Sequence, residues 1–117
     1  MKITGFRIGL LSAGLRFPFR TALREVRRLE VVVVELQTSD GRTGSGEAPP
    51  TAAITGETLD SITAALRDCI CPRLVGRDIA YLRALLDEVQ EAMVGNPSAK
   101  AAADIALWDL YAQYCGL

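Results

Sequence analysis

Residues 97–115 read as a helix with almost no polar side, and few features restrict the possible folds of a chain more. Asn96-Pro97 marks its start, a capping residue followed by a proline whose missing N–H costs nothing in a first helical turn, and Gly116 marks its stop. Between them six alanines, Ile105, Leu107, Trp108, Leu110, Tyr111, Tyr114 and Cys115 leave little polar surface beyond Lys100, Asp104, Asp109 and Gln113. A helix apolar around most of its circumference must be buried on more than one side. A chain of 117 residues has the size of a single core and does not surround such a helix easily. The expectation is that another domain or subunit covers part of it. The chain also ends at Leu117, beside the helix stop, where a longer protein would place its next element.

The hydrophobic period changes at Thr55. Before it, Ile3, Phe6, Ile8, Leu10 and Leu11 alternate raggedly, predicting a first strand that ends near residues 12–14. Residues 29–38, dense in valine, predict a second strand, and Asp40-Gly41 predicts a two-residue hairpin loop leading into a third. In that register Val34 faces Glu47 and Leu36 faces Ser45. Thr43 and Ser45 then share the face of Val32, Val34 and Leu36, while Gly44 and Gly46 thin the other face and admit another backbone. After Thr55, read as a helix cap with Glu57 and Asp60 in the first turn, Leu59, Ile62, Leu66, Cys69 and Ile70 follow at helical spacing up to Pro72. Asp78 is placed to cap a second helix with Ile79, Leu82, Leu85, Leu86, Val89 and Met93 along one stripe. The fold class is therefore α+β: a three-stranded antiparallel meander followed by a three-helix bundle, one domain over residues 1–117.

Charge nearly cancels, with 13 basic against 14 acidic residues, so no overall cation excess favours nucleic acid as a partner. Uninterrupted apolar stretches such as residues 31–34 fall far short of the ~18 to 20 residues of a membrane span, and no signal-type segment follows Met1, which predicts a cytoplasmic protein. Cys69, Cys71 and Cys115 are an odd set, better read as reduced thiols, buried or neutral, than as a disulfide framework. The first two point about 200° apart on a helix and form no metal clip. The chain contains no histidine, which removes the commonest general base and the Ser-His and Cys-His nucleophile pairs. Chemistry would have to rest on carboxylates, Lys2, Lys100 or arginine.

Two loops stand out. Residues 16–28 hold five arginines against the single acid Glu25, and the stretch through Arg24 combines a proline and two aromatics without a clean period, which reads as a loop. An arginine beside aromatics can bind a carboxylate bidentately while the rings exclude water. Between sheet and helix, Gly46-Glu47-Ala48-Pro49-Pro50-Thr51 to Glu57 is stiffened by consecutive prolines. Glu47 alone is no metal site. Asp104 and Asp109 project about 140° apart and cannot share an ion.

The ordered set Pro18-Phe19-Arg20-Thr21-Ala22-Leu23-Arg24, Gly46-Glu47-Ala48-Pro49-Pro50-Thr51, Ile54-Thr55-Gly56-Glu57, Gly95-Asn96, Lys100-Ala101-Ala102 and Ala106-Leu107-Trp108-Asp109 closely resembles the N-terminal capping domain of the enolase superfamily. Within its muconate-lactonizing subgroup, the likeness is greatest to dipeptide epimerases of the L-Ala-D/L-Glu type. The resemblance implies a cap over the mouth of a C-terminal (β/α)-barrel that is absent from this chain. It also implies a 1,1-proton transfer next to a carboxylate, with Mg²⁺ and the catalytic lysines held by that barrel, so that no catalytic or metal-binding residue lies here. Carried over by position, Arg24 would meet the distal carboxylate of an acidic dipeptide, with Phe19, Thr21 and Ile54 forming the walls. The expected partners are the barrel, a dipeptide substrate and further copies in a homo-oligomer. Ser45 departs from the pattern, which often has a bulky aromatic there. o-Succinylbenzoate synthesis and muconate cycloisomerisation stay open as activities of the whole enzyme, and a stand-alone module that self-associates through the third helix stays open as another class.

Overall fold

In the computed structural model of the chain, residues 1–20 and 25–117 are described, the side chains of 15–20 and 25–28 excepted. Three antiparallel strands, β1 (Ile3–Arg20), β2 (Glu25–Thr38) and β3 (Thr43–Ala48), form one sheet in the order β1-β2-β3. Three helices follow: α1 (Leu59–Ala64), α2 (Leu82–Glu91) and α3 (Pro97–Tyr114). The α+β class and the meander match the expectation. Backbone bonds from Ile3 N to Arg77 O and from Gly76 N to Ile3 O tie the start of β1 to the segment before α2.

The first two strands are longer than the sequence predicts. β1 does not stop near residues 12–14: of the stretch read as a loop, residues 16–20 belong to a hairpin arm, in which, past an irregularity after Gly14, Phe19 lies opposite Val26 and Arg20 opposite Glu25, and residues 21–24 lie outside the described residues. The reason for the misreading is physical: residues 9–14 are exposed on both faces, so nothing there selects alternation. Backbone pairing extends the ladder.

The β2–β3 turn differs by one residue from the expected two-residue loop. Thr38 N donates to Arg42 O at 2.9 Å and Gly41 N to Thr38 O at 3.1 Å, so residues 39–41 form a three-residue loop with Gly41 at φ 85°. The Thr38 hydroxyl donates to the Asp40 carboxylate and accepts from Arg42 N, holding this tighter form. A slip of one residue moves every side chain to the opposite face. Val34 lies opposite Gly46 and Leu36 opposite Gly44, so the glycines share the buried face with Val32, Val34 and Leu36. Ser45 lies on the exposed face and takes no part in the core.

Those glycines admit α3. A Cβ at Gly44 would lie 2.5 Å from both Ala106 O and Leu110 Cγ, and one at Gly46 would overlap the Ala102 carbonyl. The few polar groups of α3 then satisfy the outer edge of β3. Asp109 Oδ2 accepts from Ser45 N at 2.9 Å, and Gln113 Nε2 donates to Thr43 O at 2.9 Å. Arg42 Nη1 donates to Gln113 O at 2.7 Å.

Helix α1 starts later than predicted. Thr58 caps it, in reciprocal bonds with Ser61 of 3.1 and 2.8 Å, and Thr55 serves a different turn. The helix widens into a π turn at Ala65–Ile70 and tightens into a 3₁₀ turn at Cys71–Arg73, where Pro72 ends it as expected. Asp78 accepts from Ala80 N at 2.9 Å and caps the 3₁₀ turn Ile79–Tyr81 that leads into α2. Ile79, Leu82, Leu85 and Val89 are buried, as their stripe predicts, with Leu86 and Met93 packed at its margin.

All three cysteines are free, and burial pushes the Cys71 thiol up to about 12. Cys71 is buried, Cys69 half-buried and Cys115 exposed. Helix α3 keeps one uncovered apolar side, with Ile105 and Trp108 about half exposed and Tyr81 exposed nearby. Among the described residues no helix is long and apolar enough to cross a membrane.

Gly46→Ala is expected to cost ~3 kcal/mol or more, because its methyl group meets backbone and not a movable side chain. Gly9→Ala, with nothing within 4 Å, should stay within about 1 kcal/mol of the original protein. Urea unfolding of the two variants checks the contrast.

Candidate functional site

Of the four residues expected to face a ligand, the structure places one side chain. Thr21 and Arg24 lie outside the described residues. Phe19 is placed by its backbone, opposite Val26 in the hairpin arm. Ile54 stands 58% exposed in the loop between β3 and α1, an apolar group held out to solvent.

The loop owes its shape to one carbonyl. Thr51 O accepts from Ile54 N at 2.9 Å, Thr55 N at 2.7 Å and Gly56 N at 3.3 Å. Gly56 takes φ 81°, which a side chain would strain, and Thr51 N closes the base on Glu57 O at 3.1 Å. The Thr51 and Thr55 hydroxyls bond to each other, and Thr51 Oγ1 lies 3.4 Å from Ser98 Oγ on α3. Residues 51–57 are therefore a closed, internally bonded loop with Ile54 presented outward.

Glu57 anchors this loop to α3. Its side chain is buried, with Oε1 accepting from Ser98 N at 2.9 Å and Oε2 from Ala99 N at 3.1 Å. Pro97 has no N–H, and Lys100 N donates to Asn96 O at 3.1 Å, so the first turn of α3 has no backbone donor left over. Burial alone would raise the Glu57 carboxyl, but the donors of Ser98, Ala99 and Thr55 outweigh it and hold the group below its ordinary value of 4.5. The positive end of the helix dipole acts in the same direction.

This role was not predicted. The sequence places Glu57 in the first turn of α1 and names Asn96 as the cap of α3. In the structure Asn96 holds the left-handed conformation at φ 56°, and its Nδ2 donates to Val94 O at 3.0 Å. A cap that arrives from 41 residues upstream leaves no spacing to read.

The remaining candidates do not converge. Glu47 is exposed on the outer face of β3. Asp109 is committed to Ser45 N, and Lys100 is buried with Nζ donating to Gln90 O at 3.0 Å. Among the described residues no three of His, Cys, Asp and Glu come together where they could hold a metal ion.

Residues 8–117 match the family model described as mandelate racemase / muconate lactonizing enzyme, N-terminal domain. The L-Ala-D/L-Glu epimerase of Bacillus subtilis is 44% identical over 117 residues, covering 100% of this chain and 32% of that protein. The solved structure of a substrate-liganded complex of the L-Ala-D/L-Glu epimerase from Bacillus subtilis superposes with a TM-score of 0.94 at 43% identity, covering 98% of this chain and 32% of the other. A dipeptide epimerase from Methylococcus capsulatus, complexed with Mg and the dipeptide L-Arg-D-Lys, gives 0.90 at 40% identity, covering 100% of this chain and 33% of the other. The chain thus spans about a third of the length of the curated relatives it matches.

Glu57→Gln is expected to destabilise the protein by about 1–3 kcal/mol at pH 7, since the amide NH2 that replaces one carboxylate oxygen is a donor and would face one of the two N–H groups unpaired. The folded-state carboxyl lies below its unfolded value, so the Glu57 contribution is complete above 4.5 and fades as pH falls through the lowered native value. Denaturant unfolding at neutral and acid pH should show the gap between original and variant closing on acidification.

Proposed function

Because the chain belongs to the mandelate racemase / muconate lactonizing enzyme N-terminal domain family, we propose that it is the substrate-selecting cap of a longer isomerase that epimerises dipeptides. The observation that carries the reading is the rigid, outward-facing Ile54 loop, on a chain that matches dipeptide epimerases along its whole length. An enzyme that moves a proton at a carbon next to a carboxylate must dry the site before charge develops there. A preformed apolar loop and a paired arm suit that task.

Proton transfer is assigned to the part of the protein beyond this chain, together with magnesium, since the described residues do not fit that ion. The residues here bind and orient. Arg24 is assigned to an anionic side chain at the second position of the dipeptide, Phe19 and Ile54 to apolar walls, and Thr21 to a polar one. The preference for an acidic dipeptide rests on Arg24: a buried carboxylate needs a cation of its own in a site from which water is excluded. The similar epimerase bound to L-Arg-D-Lys illustrates that a cap of this fold accompanies other side chains as well. A cytoplasmic homo-oligomer completes the reading.

The uncovered apolar side of α3, at Ile105 and Trp108, is assigned to contact with the rest of the protein. The same stripe favours a second reading, self-association of the domain as a binding module. Sedimentation of the isolated chain separates them, since a monomer at high concentration counts against the module. For the first reading, the full-length protein should epimerise L-Ala-L-Glu. Arg24→Ala should lower kcat/KM for it by about 100-fold, the scale of losing one partner of a buried charge pair, with little change for L-Ala-L-Ala. Equal losses on both substrates would remove Arg24 from this role.

A further inference from the structure

We infer that Glu57 is a positioning residue for substrate selection: by gripping the first turn of α3 it sets where the Ile54 loop stands relative to the sheet that carries the hairpin arm. This rests on the reading above, in which the loop and the arm face substrate together.

Glu57 is bonded in two directions. Through its backbone it belongs to the loop, with its carbonyl taking Thr51 N at 3.1 Å and its N–H given to Thr55 Oγ1 at 3.3 Å. Through its carboxylate it belongs to the helix, at 2.9 and 3.1 Å from the N–H groups of Ser98 and Ala99. A further tie between this loop and α3, Thr51 Oγ1 to Ser98 Oγ, ends on the same helical turn. The loop is thereby referenced to the start of α3.

Capping the helix did not require this arrangement. Asparagine is among the best local caps, and Asn96 stands at the cap position, yet its side chain turns back to Val94 O. A local asparagine cap would satisfy one of Ser98 and Ala99 without constraining anything upstream. The distant carboxylate satisfies both and also joins two elements.

The connection then runs on to the arm. Helix α3 lies with the backbone of Ala102 and Ala106 against Gly46 and Gly44, β3 is paired to β2, and β2 is paired to β1 as far as Gly14 and again, past an irregularity, at Phe19 and Arg20. Close backbone contact leaves little room for the helix to slide, so a displacement at Glu57 moves the loop and not the arm. Both substrate-facing elements are held at a set separation before any ligand arrives. Such preorganisation lowers the ordering cost of binding without altering the reacting groups. Its loss should therefore raise KM and spare kcat.

The test uses the full-length protein with Glu57→Gln and, as a milder change that keeps a negative charge at the helix end, Glu57→Asp. Amide hydrogen exchange at Ile54, Thr55 and Gly56 should quicken by tenfold or more in E57Q and by less in E57D, while the core amides of Val34 and Leu36 quicken by no more than the measured loss of global stability accounts for. KM for L-Ala-L-Glu should rise about tenfold in E57Q with kcat within about threefold. Unchanged exchange at residues 54–56 in both variants overturns the inference, as does quickened exchange with an unaltered KM in an active enzyme. If the original full-length protein turns over no dipeptide, the functional reading has failed instead, and the exchange measurement still decides whether Glu57 positions the loop.

Discussion

At Gly44 and Gly46 only hydrogen stands between strand β3 and the backbone of α3, and the remainder of the architecture is arranged around that contact. It explains why a helix so poor in polar residues can sit in so small a chain. One side needs no side-chain layer, because Ala102 and Ala106 rest directly on the strand beside the buried Val34 and Leu36. It also explains the placement of the polar residues that α3 does have. Brought this close, Asp109 and Gln113 reach the outward backbone groups of β3.

The order of elements was legible in the sequence because each carries its own period: valine-rich strands before Thr55, a stripe from Ile79 to Val89, and the Asn96-Pro97 start of α3. What escaped was decided by choices of one residue or by partners far along the chain. Asp40-Gly41 suits a two-residue loop as well as a three-residue one, and the Thr38 hydroxyl selects the latter. That single residue reversed the face on which the glycines lie, although their purpose, close approach of another backbone, was readable from composition alone. The continuation of β1 was unreadable because residues 9–14, exposed on both faces, carry no hydrophobic alternation.

The candidate site divides the same way. Ile54 was named from its place in a motif, and the structure supplies a physical reason for its prominence in the fold of the loop about Thr51 O. Phe19 was named on the same grounds, and for it the structure adds a backbone pairing with Val26, while Thr21 and Arg24 lie outside the described residues. Glu57 was assigned to the wrong helix. Local rules give a carboxylate near Thr58 to the helix that starts there, whereas burial and two unsatisfied N–H groups gave it to α3.

The coverage of β3 by α3 bears on more than stability. With Ser45 N–H and Thr43 C=O both taken by side chains of the helix, that rim of the sheet offers a stray strand little to pair with. Peeling the helix away would bare a glycine-rich border and the valines behind it in one step. Misassembly into intermolecular sheets and loss of the native core would then pass through a single gate, so the two glycines guard solubility as well as shape.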